Sequence, residues 1–96
     1  MNEILNIYRK RFTDSEIFYH LMERLELHIT KLKKLKKEDN KEILLRETAD
    51  VYLLSKALLE LENVSEETIT KSYDYYLSKI KKLFNNNNNQ YILSCI

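Results

Sequence analysis

Apolar residues recur at helical spacing in four blocks along this chain, separated by short polar stretches. The first block carries Ile4, Leu5, Ile7, Tyr8 and Phe12 and predicts a short helix over Asn2–Arg11. Thr13-Asp-Ser-Glu16 then has the spacing of a capping box, in which a Thr and a Glu three residues on satisfy each other's backbone N–H groups. A second helix therefore starts here and runs to about Lys37, with Phe18, Leu21, Leu25, Ile29, Leu32 and Leu35 as its apolar stripe. The polar connection Lys37-Glu-Asp-Asn-Lys41 follows, where Asp39 with Glu42 offers another cap. The third helix, over Lys41–Glu62, is apolar nearly all round and is expected to be the most buried. Ser65 suits the N-cap of a fourth helix, and Val64 can staple against Ile69. Ile69, Tyr73, Tyr76, Leu77, Ile80, Leu83 and Phe84 give that helix an apolar side.

The chain has no glycine and no proline. That excludes Gly-rich phosphate loops, dinucleotide-binding fingerprints and the tight hairpin turns that need glycine. An all-α fold follows, a four-helix arrangement over residues 1–84. Residues 85–96 form an Asn-rich linker and an apolar C-terminal tail, Tyr91–Ile96, that either docks on the body or stays free of it. A chain of 96 residues buries only a modest core, so completion by dimerisation is expected.

Sixteen basic and fifteen acidic residues leave a formal charge of +1, which supplies no global pull towards nucleic acid or an anionic membrane. The single cysteine, Cys95, excludes an intrachain disulfide and fits a reducing cytoplasm. No apolar stretch approaches the roughly 20 residues of a membrane span, and the opening residues lack a signal peptide's apolar core. The expectation is a cytoplasmic protein.

Two acidic pairs carry the chemistry, Glu23-x-x-Glu26 and Glu47-x-x-Asp50. Residues three apart share one helix face, so each pair can aim two oxygens at one point. At about 100° per residue, Glu47 and Asp50 fall in the same arc as Ile43, Val51, Leu54, Ala57, Leu58 and Leu61. Two carboxylates on an apolar face are costly unless a cation meets them. A hard dication such as Mg²⁺, which takes oxygen ligands, would suit a four-carboxylate cage; Lys or Arg from a neighbouring helix is the plainer partner. Glu-x-x-Glu alone is common on solvated helices. The Lys31–Lys37 run reads as a solvated helix end whose charge complements the helix dipole. His20 and His28 lie eight apart, which is not the spacing of a one-turn metal pair, and read as surface or packing residues. The tyrosines read mostly as helix-packing residues. Cys95 has no His-paired context that would make it a nucleophile.

Arg46-Glu-Thr-Ala-Asp-Val-Tyr-Leu-Leu54, followed by Val64-Ser-Glu-Glu-Thr-Ile69, resembles the MazG-like all-α NTP pyrophosphohydrolases. That family carries E-E-x-x-E on one helix and E-x-x-D on the next. Here Met22-Glu23-Arg24-Leu25-Glu26 and Glu47-Thr48-Ala49-Asp50 stand at those motifs, and the resemblance runs over roughly residues 1–84. Met22 departs from the first Glu, and Tyr76 and Ser78 stand where relatives tend to place Lys and Asn. The resemblance implies a Mg²⁺-dependent (Mn²⁺ as an alternative) cleavage of a nucleoside triphosphate to monophosphate and pyrophosphate. Its metal ligands and catalytic carboxylates would be Glu23, Glu26, Glu47 and Asp50. Lys31, Lys33, Lys34, Lys79, Lys81 and Lys82 would balance phosphate charge. Tyr19, with Tyr8, Phe12 and Tyr52, is a candidate to hold base and sugar in a homodimer or homotetramer. Two other readings stay open: a nucleotide-binding relative that has lost turnover, and a helical self-assembly protein.

Overall fold

A computed structural model describes residues 2–85. Among them are four α-helices and no strand: α1 Glu3–Arg9, α2 Asp14–Glu38, α3 Lys41–Leu61 and α4 Glu66–Asn85. The apolar tail, and with it Cys95, lies outside the described residues. The chain divides into two compact units, one ending at Asn63 and the other beginning at Val64. The expectation from the sequence is a single helical domain over residues 1–84.

Helix boundaries follow side-chain chemistry. Asn2 caps α1, its Oδ1 accepting from the N–H groups of Ile4 and Leu5 at 3.0 and 3.3 Å. The capping box forms as expected: Thr13 Oγ1 accepts from Glu16 N–H at 3.3 Å, and Glu16 Oε1 accepts from Thr13 N–H at 3.0 Å. The α2–α3 connection differs from expectation. Asp39 does not cap α3; it ends α2 in the left-handed region at φ 55°, ψ 38°. Asp39 N–H donates to Lys36 O at 3.4 Å and Asn40 N–H to Leu35 O at 3.3 Å, the bond pattern of a Schellman motif. Asn40 takes the N-cap position of α3, and its side chain makes no capping bond there. With no glycine in the chain, Asp39 and later Asn63, each at φ 55°, take the left-handed positions. Ser65 caps α4 as expected, its Oγ accepting from Thr68 N–H at 3.1 Å.

In the first unit α2 and α3 run antiparallel, since residues near the start of α2 pack with residues near the end of α3. Leu5, Ile17, Leu21, Ala57 and Leu61 are the buried core, with Tyr8, Phe12, Phe18 and Leu54 packed around them. Burying a leucine or isoleucine side chain contributes about 1.5–3 kcal/mol, so this cluster holds α1 onto one end of the α2–α3 hairpin. Towards the Asp39 turn no residue is fully buried: Leu32, Leu35, Ile43 and Leu44 are half-covered. As expected, α3 carries more buried and half-buried residues than any other described helix, yet its apolar surface is not fully enclosed: Leu45, Tyr52, Leu53 and Leu59 are exposed. A short α1 covers only one end of a long hairpin, which leaves the outer face of α3 to solvent.

The second unit is described through α4. Its apolar side is present in the expected register, and none of its residues is buried. Lys79 Nζ stands 5.8 Å from the centroid of the Tyr75 ring, and Lys71 pairs with Glu67 at 3.0 Å one turn away. Among the described residues no helix is long and apolar enough to cross a membrane.

Candidate metal centre

The α2–α3 contact is a pair of heptad seams. On α2, Leu21, Leu25, His28, Leu32 and Leu35 alternate steps of four and three; on α3, Ile43, Glu47, Asp50, Leu54, Ala57 and Leu61 do the same. Every one of these positions is buried or half-buried. Each seam is apolar except at its centre. The antiparallel register sets His28 of α2 opposite Glu47 and Asp50 of α3.

There the three side chains converge. One ligand atom from each of His28, Glu47 and Asp50 lies within 4.8 Å of the other two. Nδ1 of His28 is hydrogen-bonded to Oε2 of Glu47. Oδ2 of Asp50 stands 3.9 Å from the same nitrogen, beyond hydrogen-bond reach. Side-chain exposure is 18% for His28, 13% for Glu47 and 39% for Asp50, so Asp50 forms the solvent-facing edge. On the rim, Lys31 Nζ is 3.9 Å from Glu47 Oε1.

The hydrogen bond from His28 holds the Glu47 carboxyl below its ordinary value near 4.5; partial burial works the other way, and the charges of His28, Lys31 and Arg46 assist the lowering. Glu47 is therefore an anion at neutral pH. An ionised carboxylate only accepts, so His28 Nδ1 carries the proton in this pair.

The four predicted carboxylates do not converge. Glu47 and Asp50 enter the cluster, while Glu23 and Glu26 are exposed on α2 and belong to no group of three potential ligands among the described residues. The reason is angular: His28 continues the Leu21–Leu25 seam towards α3, and Glu23 and Glu26 lie off it. The same rotation moves Ile29, expected in the apolar stripe, to an exposed position. His28 is the residue that sequence reasoning passed over.

The predicted phosphate-binding lysines divide between the units. Lys31 and Lys34 line a shallow depression of about 320 Å³ with Leu35, Glu38, Ile43 and Glu47, so they adjoin the cluster. Lys33 is exposed on α2. Lys79, Lys81 and Lys82 belong to α4, in the second unit. Tyr19 is 69% exposed, and its ring meets Phe18 edge-on at 5.3 Å between centroids. His20 stacks with Phe12 at 4.4 Å and Tyr8 at 6.1 Å, a packing role at the α1 end.

No family model matches the sequence, and neither curated proteins nor solved structures yield a match to it.

The donor set fits a divalent cation. Two carboxylates and an imidazole from two helices would hold such an ion through three ligand atoms. Their chemistry suits Mg²⁺ or Mn²⁺ through the oxygens, and transition dications through all three atoms.

Proposed function

We propose that this chain is a divalent-cation-dependent nucleotide pyrophosphohydrolase of the MazG-like kind, working as a homo-oligomer. The observation that carries the reading is the convergence of Glu47 and Asp50, the E-x-x-D pair, on one point of the α2–α3 seam instead of on solvent. A cation held there by Glu47, Asp50 and His28 would supply Lewis-acid polarisation and charge neutralisation at a phosphate chain. The protein's own part is positioning. Lys31 and Lys34, which line a depression together with Glu47, would take the negative charge of outer phosphate oxygens. Leu25 and Leu54 flank the polar trio in the two seams and limit water on its inner side. The exposed Leu45, Tyr52 and Leu53 on α3 support assembly into a larger body, since a short chain gains stability by covering such residues.

A second reading is favoured by one observation. With Glu23 and Glu26 outside the cluster, two of the carboxylates the hydrolase reading calls for are missing from the ion's surroundings. A protein that binds a nucleotide through the cation without cleaving it would need no more than the three residues present.

The test is pyrophosphate release from a panel of nucleoside triphosphates with Mg²⁺ or Mn²⁺, beside nucleotide binding by calorimetry. Release that Glu47→Gln abolishes supports the hydrolase. Binding without release selects the second reading. Absence of both removes nucleotide chemistry and leaves self-assembly.

A further inference from the structure

We infer that His28, Glu47 and Asp50 form a site for a first-row transition dication of the Zn²⁺ kind, one that discriminates against Mg²⁺ through the His28 imidazole. The inference deepens the proposed function and rests on only one part of it, that this cluster holds a cation; it does not depend on nucleotide cleavage.

Three observations support it. First, the trio occupies the centre of two otherwise apolar seams, where Leu25, Leu32 and Leu54 are the neighbouring seam residues. Polar side chains at such positions cost stability unless each finds a partner. Second, the partners within the protein are incomplete. Two carboxylates crowd one imidazole nitrogen: Glu47 bonds it, and Asp50 is left 3.9 Å away with no hydrogen bond to it. Lys31, 60% exposed and 3.9 Å from Glu47, is too loosely held to neutralise both. A dication between the three atoms would take the place of the Nδ1 proton, which passes to solvent or to Nε2, and would serve all of them at once. Third, the donor set is mixed. Imidazole nitrogen is a good ligand for Zn²⁺, Fe²⁺, Ni²⁺ and Cu²⁺, whereas Mg²⁺ takes oxygen and keeps its water. His28 thus tilts selection towards the transition series, where an all-carboxylate cage would not.

The alternative is a structural latch, in which the His28–Glu47 hydrogen bond closes the seam and no ion enters. Zn²⁺ and Mg²⁺ titrated separately into the full chain, without nucleotide, decide between them. The site predicts one Zn²⁺ per chain, bound at least about tenfold more tightly than Mg²⁺, and a loss of that margin in His28→Gln. NMR supplies a reading on the unaltered chain. The chain has two histidines, eight residues or about 12 Å apart along α2, so His20 is an internal control. Zn²⁺ should move the His28 ring signals and leave those of His20 in place. Equal affinity for the two ions, an undiminished Zn²⁺ margin in His28→Gln, or Zn²⁺ that leaves the His28 ring unmoved overturns the inference. If His28→Gln loses helicity, the ring signals decide alone. Zn²⁺ selectivity without pyrophosphate release would sink the hydrolase and leave this site standing; Mg²⁺-dependent release without Zn²⁺ selectivity would do the reverse.

Discussion

His28 on α2 and Glu47 on α3, nineteen residues apart in the chain, hydrogen-bond to each other across the helix seam through Nδ1 and Oε2. This bond joins two helices at a point where both would otherwise present leucine-type residues. It also lowers the Glu47 carboxyl below its ordinary value and so favours the anion that a cation would meet.

Acid should loosen the fold in a defined window. Glu47, through its hydrogen bond with His28, and Glu16, through the backbone N–H of Thr13, both titrate below the ordinary carboxylate value near 4.5. Each binds protons more weakly in the folded chain than in the unfolded one. Stability from these groups is complete above about pH 5 and falls as pH drops below 4.5, because the unfolded chain takes up protons first. Urea midpoints at about pH 3 and about pH 6 measure this, and Glu47→Gln should flatten the difference. A midpoint independent of pH over that span would contradict both assignments.

Leu21→Ala should cost about 2–5 kcal/mol, since Leu21 is fully buried in the core shared by α1, α2 and α3. Leu45→Ala, at a position 60% exposed, should cost no more than about 0.5 kcal/mol. Urea denaturation of the two variants tests where the core ends.

Asp39→Gly should stabilise the chain by roughly 0.5–1 kcal/mol. Asp39 holds a left-handed conformation that strains any residue with a Cβ, and glycine relieves it at some cost in unfolded-state entropy. A raised thermal midpoint with unchanged helicity is the expected result. A lowered midpoint would mean that the Asp39 side chain, not its backbone, matters at this turn.

The acidic pairs should separate by mutation. Glu47→Gln and Asp50→Asn remove ligands from the cluster and should abolish cation binding and any pyrophosphate release. Glu23→Gln and Glu26→Gln alter exposed residues outside it and should leave cation binding unchanged. Loss of binding in either of the latter would restore the four-carboxylate cage in place of the His-containing one.

Much of this was legible in the residues. Four helices, the Thr13–Glu16 box and the Ser65 cap follow from local rules that need no knowledge of the fold. Glu47 and Asp50 declared themselves by sitting on an apolar arc. His28 did not, although it completes a seam from Leu21 to Leu35 in steps of four and three. A stripe drawn through Ile29 looks equally apolar, and only packing against α3 decides between neighbouring positions. The reading of Asp39 failed for a related reason. Asp suits both an N-cap and a left-handed helix end, and a glycine-free chain presses it into the second role. Apolarity all round marked α3 as the most covered helix, but it does not say how much of that helix a seven-residue α1 can reach, so the exposure of Leu45, Tyr52 and Leu53 was not legible.

The unequal covering of the hairpin sets an order of opening. Beside α1, backbone amides around Leu21 and Ala57 are sheltered by a closed apolar cluster; around Leu35 and Ile43 they have one neighbouring helix and then water. Local excursions should therefore begin at the tip and travel inwards, with hydrogen exchange fastest near Asp39 and slowest near Leu21. His28, Glu47 and Asp50 stand where these two regimes meet, so an ion clamped between them would stop the unzipping before it reached the core.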